Sequence, residues 1–349
     1  MPDDLPIFGI CGHSGSGKTT LLEAVVPRLR ERGLEVAVVK HDVHGLDFDR
    51  AGKDSDRLFR TGADVYLADP EQHLSRRHPT PRLLSRPLLR KLGRRYDLVL
   101  VEGFKNLPLP KVWLLGQDEE APPEGSAEVI AHLGRDADRR ASFLRIIEAW
   151  LPEQWLKTPA FGCVLVGGAS VRMGRPKHLL EKDGRTWLER TVDLLERVTE
   201  EVVIVGKGEV PEALANRLRL PDVPEAKGPL SGILAAMRWA PGATWLVAAC
   251  DLPDLGEEAL QWILKTRAPG VWATLPRGEE HPDVEPLLAH YDLRARPLLE
   301  HLAAEGDFRL SHLASHAKVI TPSPPPELAS AWRNVNTAAG LNPRPSAIK

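Results

Sequence analysis

The amino-acid sequence predicts an α/β protein of two successive three-layer domains, each with a mostly parallel sheet between helices. The chain has 349 residues, which corresponds to about two domains at roughly 150 residues each. Apolar, β-branched runs alternate with runs of helical periodicity, as in βαβ units. The alternation pauses once, at a proline-containing stretch, and then resumes. We therefore predict a first domain over residues 1–151, a linker over 152–160 and a second domain over 161–349.

The composition excludes several classes of protein. Hydrophobic residues make up 42% of the chain, and 46 basic against 48 acidic side chains give a formal charge of −2. This near balance excludes a generally basic nucleic-acid-binding protein. No apolar run approaches the ~18 residues that a membrane-spanning helix requires. Three widely separated cysteines form no disulfide framework. We therefore expect a cytoplasmic protein with no membrane span and no nucleic-acid partner.

The first half contains the elements of one α/β domain. Its apolar runs predict strands at Ile7–Cys11, Glu35–His41, Val65–Ala68, Asp97–Glu102 and Lys111–Leu115. Its helical-period runs predict helices at Lys18–Arg32, Asp54–Thr61 and Asp136–Trp150. Pro27 lies inside the first of these helices, so we expect a kink there.

The second half repeats the alternation after a stretch with prolines at 152 and 159. The predicted strands are Phe161–Val166, Glu201–Val205, Thr244–Ala249, Val271–Leu275 and Ala317–Thr321. The predicted helices are Thr186–Val198, Leu230–Trp239, Glu257–Lys265 and Arg294–Ala304. No fixed-period internal repeat accompanies this alternation.

A glycine-rich loop follows the first strand and matches the pattern G-x-x-x-x-G-K-[ST] from Gly12 to Thr19. Such a loop wraps its backbone N–H groups around phosphates, and the helix that follows adds its positive N-terminal dipole. Lys18 would reach the β- and γ-phosphates, and the Thr19 hydroxyl would ligate Mg²⁺. The predicted phosphate-binding residues of this loop are Gly12, Gly15, Gly17, Lys18, Thr19 and Thr20.

An acidic residue at a neighbouring strand end organises Mg²⁺ or water in proteins with such a loop. The regular apolar run Asp97–Val101 ends at Glu102, which is our candidate for this role. A solvated carboxylate in a strand-to-loop turn is the alternative. Asp42, which follows the second predicted strand, is a weaker candidate.

The first half resembles the MobB family, the GTP-binding accessory proteins of molybdopterin guanine dinucleotide synthesis. The resemblance covers about residues 5–150 and rests on motifs that occur in one order. They are Gly12–Thr20, Val39-Lys40-His41-Asp42, Asp47-Phe48-Asp49, Gly52-Lys53-Asp54-Ser55, Thr61-Gly62-Ala63 and Val101-Glu102-Gly103-Phe104-Lys105. It implies a P-loop NTPase domain that binds GTP and hydrolyses it weakly. His41 and His44 follow the Lys-His motif, and we assign neither as a ligand.

A second glycine loop follows the strand at Phe161–Val166 but lacks the G-K-[ST] pattern. Gly167 and Gly168 permit close backbone approach, and Ser170 can donate a hydrogen bond to a phosphate. Arg172 and Lys177 add two positive charges, which suits a triphosphate. A basic surface turn is the alternative interpretation.

Asp251 ends a second apolar run, Thr244–Ala249, at the strand edge where open α/β sheets bind their ligands. A carboxylate there can hold Mg²⁺ against a bound nucleotide. The alternative is an N-cap for the next helix. The gap to Glu257 is too long for a direct cap, so we favour metal binding.

The second half resembles the MobA family of molybdenum cofactor guanylyltransferases, which are Rossmann-like nucleotidyltransferases. The resemblance covers about residues 160–340. It rests on Leu165–Lys177, Gly228-Pro229-Leu230-Ser231-Gly232, Cys250-Asp251-Leu252-Pro253, Glu285-Pro286-Leu287 and Asn334-Val335-Asn336-Thr337. The chain is thus interpreted as two Rossmann-like three-layer domains, an N-terminal P-loop NTPase domain and a C-terminal nucleotidyltransferase domain.

The second resemblance implies a set of site residues. Arg172, Lys177 and Asp251 would be catalytic, with Asp251 also the metal ligand. The nucleotide would contact Leu165, Val166, Gly167, Gly168, Ser170, Gly174, Lys177, Asp222 and Asp251, with Asp222 on the guanosine. The pterin substrate would contact Glu285, Asn334 and Asn336. Gly167-Gly168 agrees with the guanylyl rather than the cytidylyl enzymes of this group.

The two resemblances together imply transfer of GMP from GTP to molybdenum-molybdopterin with release of pyrophosphate. The implied cofactor is Mg²⁺, with GTP as substrate and ligand. The implied partners are molybdopterin-insertion proteins, apo-molybdoenzymes and a second copy of the chain. Three alternatives stay open, namely a P-loop small-molecule kinase, a cytidylyltransferase of the same pathway and a nucleotide-gated cofactor carrier without catalysis.

Overall fold

The computed structural model describes residues 5–40, 52–68, 70, 72–76, 86–117, 119–135, 137–167, 176–278 and 283–333. The chain divides into two compact units, which we call the N-terminal unit (residues 1–147) and the C-terminal unit (residues 148–349). Each unit contains a sheet with parallel strands and helices, so the predicted α/β class with two domains is confirmed. Within the described ranges, no helix combines the length and the apolar character needed to cross a bilayer.

The N-terminal unit is built on a five-stranded parallel sheet with the strand order β2-β5-β1-β6-β7. These strands are β1 (Ile7–Cys11), β2 (Val36–Lys40), β5 (Leu98–Glu102), β6 (Lys111–Leu114) and β7 (Val129–Leu133). A separate antiparallel hairpin contains β3 (Val65–Ala68) and β4 (His73–Arg76). The helices are α1 (Lys18–Glu31), α2 (Asp54–Arg60), α3 (Arg86–Gly93) and α4 (Arg139–Leu156).

The central strand β1 lies between β5 and β6, and all three are buried along their whole length. Continuous burial is what a parallel strand covered on both faces requires, and it explains the unbroken apolar runs of the sequence. Ile10 pairs with Glu102 and Cys11 with Trp113, so the carboxyl ends of the three strands lie side by side. The loop after β1 therefore starts next to Glu102.

The sequence did not predict every element of this unit. Val65–Ala68 is a strand as expected, but among the described residues it pairs with β4 in a hairpin and not with the five-stranded sheet. The strand Val129–Leu133 was missed because exposed and partly buried residues alternate along it, which gives no continuous apolar run. Helix α4 begins at Arg139 rather than 136, because the Asp138 carboxylate accepts a hydrogen bond from the Ala141 amide and caps the helix start.

The C-terminal unit contains a seven-stranded sheet with the order β12-β11-β8-β13-β15-β14-β16. These strands are β8 (Ala160–Leu165), β11 (Glu201–Val205), β12 (Arg219–Leu220), β13 (Thr244–Ala249), β14 (Ala273–Thr274), β15 (Leu288–Tyr291) and β16 (Val319–Ile320). A short hairpin contains β9 (Glu181–Lys182) and β10 (Arg185–Thr186). The helices are α5 (Trp187–Glu196), α6 (Pro229–Trp239), α7 (Glu257–Lys265) and α8 (Arg296–Ala304).

The strand β15 makes this sheet mixed, because it runs antiparallel to both β13 and β14. The sequence analysis missed it, since its four residues include His290 and form no recognisable apolar run. Its antiparallel direction brings the chain just before Leu288 to the carboxyl end of β13, where the Ala249 amide donates a hydrogen bond to the Leu287 carbonyl at 2.8 Å.

The predicted linker over residues 152–160 requires a correction. Helix α4 continues through Pro152 to Leu156, and β8 already begins at Ala160. Burial of Trp155 explains the longer helix, because its ring packs 4.1 Å below the Arg294 guanidinium. After the helix ends, the Thr158 carbonyl accepts a hydrogen bond from the Arg267 guanidinium at 2.7 Å. The compact units accordingly divide inside α4, between residues 147 and 148, rather than at 151.

Buried His290 predicts how stability depends on pH. Its ring is fully buried, its Nε2 contacts the Thr244 hydroxyl, and burial with the nearby Arg267 holds its pKa well below the usual value. Below about pH 6.5 the unfolded chain binds a proton at this position that the folded chain excludes. We expect the free energy of unfolding to fall by about 1 kcal/mol between pH 6.5 and 5.5, measured by urea denaturation.

The variant His290→Gln tests this assignment. Glutamine does not titrate, so the share of about 1 kcal/mol that His290 contributes between pH 6.5 and 5.5 is expected to disappear, whatever the variant costs at pH 7.5. His178 contributes the same sign, because burial also lowers its pKa. An unchanged pH dependence in the variant contradicts the assignment to His290.

Candidate functional site

The loop between β1 and α1 has the geometry of a phosphate cradle. Gly12, Gly15 and Gly17 all have positive φ, at 148°, 75° and 91°. Gly12 is also confined by its surroundings. A Cβ built on it would lie 2.5 Å from the Ser16 hydroxyl oxygen and 2.6 Å from the Leu114 carbonyl oxygen. Only glycine fits at this turn without displacing the backbone of β6.

Replacement of Gly12 by alanine is therefore expected to destabilise the N-terminal unit. Gly15→Ala is the matched control, because that position also has positive φ but no atom lies within 4 Å of its built Cβ. Overlap at residue 12 should cost about 1–3 kcal/mol more than the control in the free energy of unfolding. Urea denaturation of both variants measures this difference, and equal values contradict the confinement of Gly12.

The predicted polar groups of this loop make two sets of contacts. The Lys18 ammonium donates to the carbonyl oxygens of Gly12 at 3.0 Å and His13 at 2.8 Å, so it spans the loop. The Thr19 hydroxyl donates to both carboxylate oxygens of Glu102, at 3.1 and 3.3 Å. The Glu102 carboxylate is buried, whereas Thr19 is exposed at the surface. The alternative, a solvated carboxylate in a strand-to-loop turn, does not agree with the burial of Glu102.

The Thr19 and Glu102 oxygens fit a magnesium ion by their chemistry. Magnesium in nucleotide sites binds hard oxygen ligands from one or two protein groups and takes its other ligands from phosphates and water. A hydroxyl in contact with a carboxylate at the mouth of a phosphate cradle supplies such donors. Thr20 lies in the first turn of α1 and is exposed.

Buried side chains fix the turn that follows Glu102. Lys111 is 1% exposed, and its ammonium donates to the carbonyl oxygens of Lys105 and Leu107. Burial lowers the pKa of this ammonium. The Cys11 thiol donates to the Gly103 carbonyl at 3.0 Å. These contacts anchor the residues that directly follow Glu102. The sequence analysis had treated Lys111 only as part of a strand.

A second candidate site lies at the carboxyl ends of β8 and β11. A cavity of about 400 Å³ opens there, which lies within the usual range for small-molecule sites. Its lining comes from the end of β8, the end of β11, the segment before α6 and the first turn of α6. The lining residues are Leu165, Val166, Gly167, Val205, Asp222, Gly228, Pro229, Ser231 and Gly232. The predicted nucleotide contacts Leu165, Val166, Gly167 and Asp222 thus share one cavity.

Asp222 is oriented within this cavity by Ser231, which the sequence analysis named only as part of the Gly228–Gly232 motif and without a contact to Asp222. The Ser231 hydroxyl contacts the Asp222 carboxylate at 2.9 Å and the Gly228 carbonyl at 2.6 Å. Ser231 is buried in the first turn of α6, whose N-terminus faces the cavity through Pro229. The Asp222 carboxylate keeps acceptor capacity for a ligand, because a carboxylate offers about four lone-pair sites.

Lys177 and Asp251 do not line this cavity but form an ion pair at the carboxyl end of the neighbouring strand β13, with 3.2 Å between the ammonium and a carboxylate oxygen. Asp251 follows β13, and Lys177 begins a short 3₁₀ helix. His178 anchors this helix, because its Nε2 lies 2.8 Å from the Glu209 carbonyl. Each member of the pair keeps about a quarter of its side chain exposed, at 21% and 27%, so both remain open to a ligand.

The neighbouring Cys250 does not offer a nucleophile. It is buried, and burial raises the pKa of its thiol far above neutrality. The thiol therefore stays protonated beside Asp251, and the chemistry of the site rests on charged and oxygen-bearing groups.

Two further segments reach the carboxyl edge of the second sheet. The Glu285 amide donates to the Pro276 carbonyl at 2.8 Å, just ahead of the segment that pairs with the end of β13. At the other end, the Trp332 indole donates to the Leu288 carbonyl at 3.2 Å, and Arg333 pairs with Asp254. Glu285, and Arg333 as the last described residue before Asn334, therefore lie in segments that contact the edge carrying Asp251.

Several predicted positions lie outside the described residues. In the second site these are Gly168, Ser170, Arg172, Gly174, Asn334 and Asn336. In the N-terminal unit they are His41, Asp42 and His44. Their roles stay predictions from the sequence.

Two protein families match separate parts of the chain. Residues 7–134 match the family described as molybdopterin guanine dinucleotide synthesis protein B, or MobB. Residues 162–319 match the MobA-like NTP transferase domain. The two matches fall in the two compact units and include both glycine loops.

Two relatives and one solved structure are similar to parts of the chain. A molybdopterin-guanine dinucleotide biosynthesis adapter protein of Haemophilus influenzae is 40% identical over 134 residues, which cover 38% of this chain and 75% of the relative. A probable molybdenum cofactor guanylyltransferase of Bacillus cytotoxicus is 27% identical over 163 residues, 45% of this chain and 81% of the relative. The crystal structure of molybdopterin-guanine dinucleotide biosynthesis protein A from Archaeoglobus fulgidus is 25% identical, covering 52% of this chain and 94% of that chain, with a TM-score of 0.43.

Proposed function

The chain belongs to the MobB family through its N-terminal unit and carries a MobA-like NTP transferase domain in its C-terminal unit, and from this premise we propose that it is a molybdenum cofactor guanylyltransferase. It transfers GMP from GTP to molybdenum-bearing molybdopterin and releases pyrophosphate. The observation that carries the proposal is the Lys177–Asp251 pair at the sheet edge that also holds the Asp222 cavity.

The reaction needs no protein nucleophile. A terminal phosphate oxygen of the pterin attacks the α-phosphorus of GTP, and a new P–O–P linkage forms. The bond between the α-phosphorus and the oxygen that bridges to the β-phosphate breaks, so the electron pair leaves with pyrophosphate. The attacking group is already an anion, so the difficulty is to bring two anions together. Catalysis should come from holding them in line and from compensating their charge.

Lys177 and Arg172 supply the positive charge for the triphosphate. In the structure Lys177 is paired with Asp251 at 3.2 Å, and in the reacting complex its ammonium would contact phosphate oxygens as well. Asp251 is a hard oxygen donor at a strand end and would hold Mg²⁺, which neutralises charge on the phosphate oxygens when it is bound. The same carboxylate keeps the Lys177 ammonium oriented before the nucleotide arrives.

The nucleoside would occupy the cavity lined by the β8 end and α6. Asp222, held by Ser231 at 2.9 Å, offers an acceptor for N–H or O–H donors of guanosine. Gly167 is exposed next to buried Val166, so the backbone can approach the ligand closely at the start of the loop. The Gly167-Gly168 pair favours guanine over cytosine as the base. The pterin would lie toward Glu285, Asn334 and Asn336.

The N-terminal unit would bind a second GTP with Mg²⁺ and hydrolyse it weakly. Two contacts support this role: the Lys18 ammonium binds the Gly12 carbonyl within the loop, and the Thr19 hydroxyl binds the Glu102 carboxylate. We assign it an adaptor role toward molybdopterin-insertion proteins and apo-molybdoenzymes, with a second copy of the chain as a further partner. Covalent fusion raises the effective concentration of one nucleotide site near the other toward the millimolar range.

Label transfer distinguishes this function from the alternatives. The protein is incubated with molybdenum-molybdopterin, Mg²⁺ and GTP labelled at either the α- or the γ-phosphorus. We expect α-label in the pterin product and γ-label in pyrophosphate. Transfer of γ-label to the pterin indicates a kinase, and binding without transfer indicates a carrier. Equal transfer from α-labelled CTP contradicts the assignment of guanine.

A further inference from the structure

The Arg139 side chain donates four hydrogen bonds to backbone carbonyl oxygens next to the first glycine loop. Its Nη1 donates to the Ser16 carbonyl at 2.6 Å, and its Nη2 donates to the carbonyls of Leu115 at 2.6 Å and Leu133 at 3.1 Å. Its Nε donates to the Gly134 carbonyl at 2.9 Å. One side chain thus joins the loop to the residues that follow β6 and end β7.

The contact with Ser16 fixes a peptide unit inside the loop. The peptide that joins Ser16 to Gly17 is trans and planar, so its C=O and N–H point in opposite directions. Because the Ser16 carbonyl faces Arg139, the Gly17 N–H faces the opposite side of the loop. In a phosphate cradle the N–H groups must turn toward the ligand and the carbonyls away from it. Arg139 holds this peptide in the orientation that the cradle requires.

The stability of helix α4 does not account for an arginine at this position. Arg139 is the first residue of α4, where a positive charge opposes the helix dipole. Its four hydrogen bonds go to backbone carbonyls of the loop and of the strand ends rather than to the helix itself. The guanidinium also lies close to the loop, 3.6 Å from a Cβ built on Gly17. The charge therefore sits where it can favour an anion in the cradle.

We propose that Arg139 is a positioning residue for phosphate binding in the N-terminal unit, acting through the Ser16–Gly17 peptide and not by touching the nucleotide. The inference rests on the proposed nucleotide binding by this loop. It names a residue that no part of the P-loop sequence pattern contains. Without the Arg139 hydrogen bonds the Ser16–Gly17 peptide can rotate, so the phosphates lose a preorganised N–H donor. Contacts to the nucleoside are unaffected.

The test uses the full chain carrying both Lys177→Ala and Asp222→Ala, so that neither the phosphate contact nor the guanosine contact of the second nucleotide site reports. Affinities for GDP and for guanosine are measured by calorimetry or competition. We expect Arg139→Met to weaken GDP binding about tenfold or more and to leave guanosine affinity unchanged. Arg139→Lys retains the charge with fewer donors and should weaken GDP binding by a smaller factor. Arg140→Met is the matched control, because Arg140 is the exposed neighbour in the same helix turn, and it should bind both ligands as the parent does.

The outcomes separate this inference from the proposed function. If the parent binds GDP, Lys18→Ala abolishes that binding and Arg139→Met binds GDP like the parent, the role of Arg139 is overturned. An equal loss for GDP and guanosine also overturns it, because that result indicates general disruption of the unit. Should Arg139→Met fail to fold, parent-like GDP affinity in folded Arg139→Lys overturns it. Absence of GDP binding in the parent overturns the nucleotide role of the loop, and the inference with it.

Discussion

Replacement of Asp251 by asparagine is expected to lower kcat for GMP transfer by about a thousandfold or more. Asparagine keeps the size of the side chain but removes the negative charge that would hold Mg²⁺ and that orients Lys177 at 3.2 Å. Little loss of stability should accompany this effect. The pair is partly exposed, and ion pairs of that kind contribute about 0–1 kcal/mol to folding. Steady-state transfer of α-label, together with urea denaturation, measures both effects.

Glu258→Gln is the matched control for this experiment. Glu258 is an exposed carboxylate in the first turn of α7, a few residues after Asp251, and the variant removes the same unit of charge. We expect its kcat to stay within about twofold of the wild-type value, because surface charges distant from the reacting phosphates are screened by salt. If Asp251→Asn retains transfer close to the control, Asp251 is not the metal-binding carboxylate of the reaction.

Replacement of Lys177 by methionine is expected to lower kcat/KM for GTP by about a hundredfold or more. Methionine preserves much of the apolar stem but removes the ammonium, which would otherwise stabilise negative charge on the triphosphate. The short 3₁₀ helix should keep its position, because the neighbouring His178 still contacts the Glu209 carbonyl. Transfer kinetics at varied GTP concentration measure the effect.

Lys207→Met provides the comparison, since Lys207 is exposed in the segment that follows β11. It should leave kcat/KM nearly unchanged. Equal effects of the two lysine variants indicate that general positive charge, rather than the Lys177 position, governs the reaction. The double variant of Lys177 and Asp251 should fall less than the two single effects combined, because paired residues couple.

The first site could be predicted from sequence because its signal is local. The loop from Gly12 to Thr19 carries its glycines, lysine and hydroxyl within one short pattern. Glu102 followed from a general rule, since an apolar parallel strand places its carboxyl end at the ligand edge of the sheet. In the structure the Thr19 hydroxyl lies 3.1 Å from a Glu102 carboxylate oxygen. Asp222 entered only through the family resemblance, and it lines the cavity.

The contacts that sequence reasoning missed have no local signal. Arg139 is 123 residues from Ser16, and its partners are backbone carbonyls, which every residue type possesses. Lys111 reads as a polar residue in a short strand, and only the packing of β6 against β1 shows that its ammonium is buried. The contact between the Ser231 hydroxyl and the Asp222 carboxylate depends on how α6 is placed relative to Asp222. Long-range packing decides each of these contacts.

The linker error has a similar origin. Two prolines after a helix favour a connecting segment by local rules, and the sequence analysis ended the helix before Pro152. Burial of Leu151 and Trp155 outweighs that local preference and extends α4 to Leu156. The strand β15 was missed because four residues carry too little pattern, although its antiparallel pairing brings the segment before Leu288 to the carboxyl end of β13.

The number of GTP molecules bound per chain tests the central claim most directly, because the account requires one nucleotide site in each unit. Equilibrium dialysis with a non-hydrolysable GTP analogue and Mg²⁺ should give two bound per wild-type chain. It should give one for Lys18→Ala, one for Lys177→Ala and none for the double variant. A wild-type chain that binds a single nucleotide, lost entirely in Lys18→Ala and unaffected by Lys177→Ala, contradicts a guanylyltransferase site in the C-terminal unit.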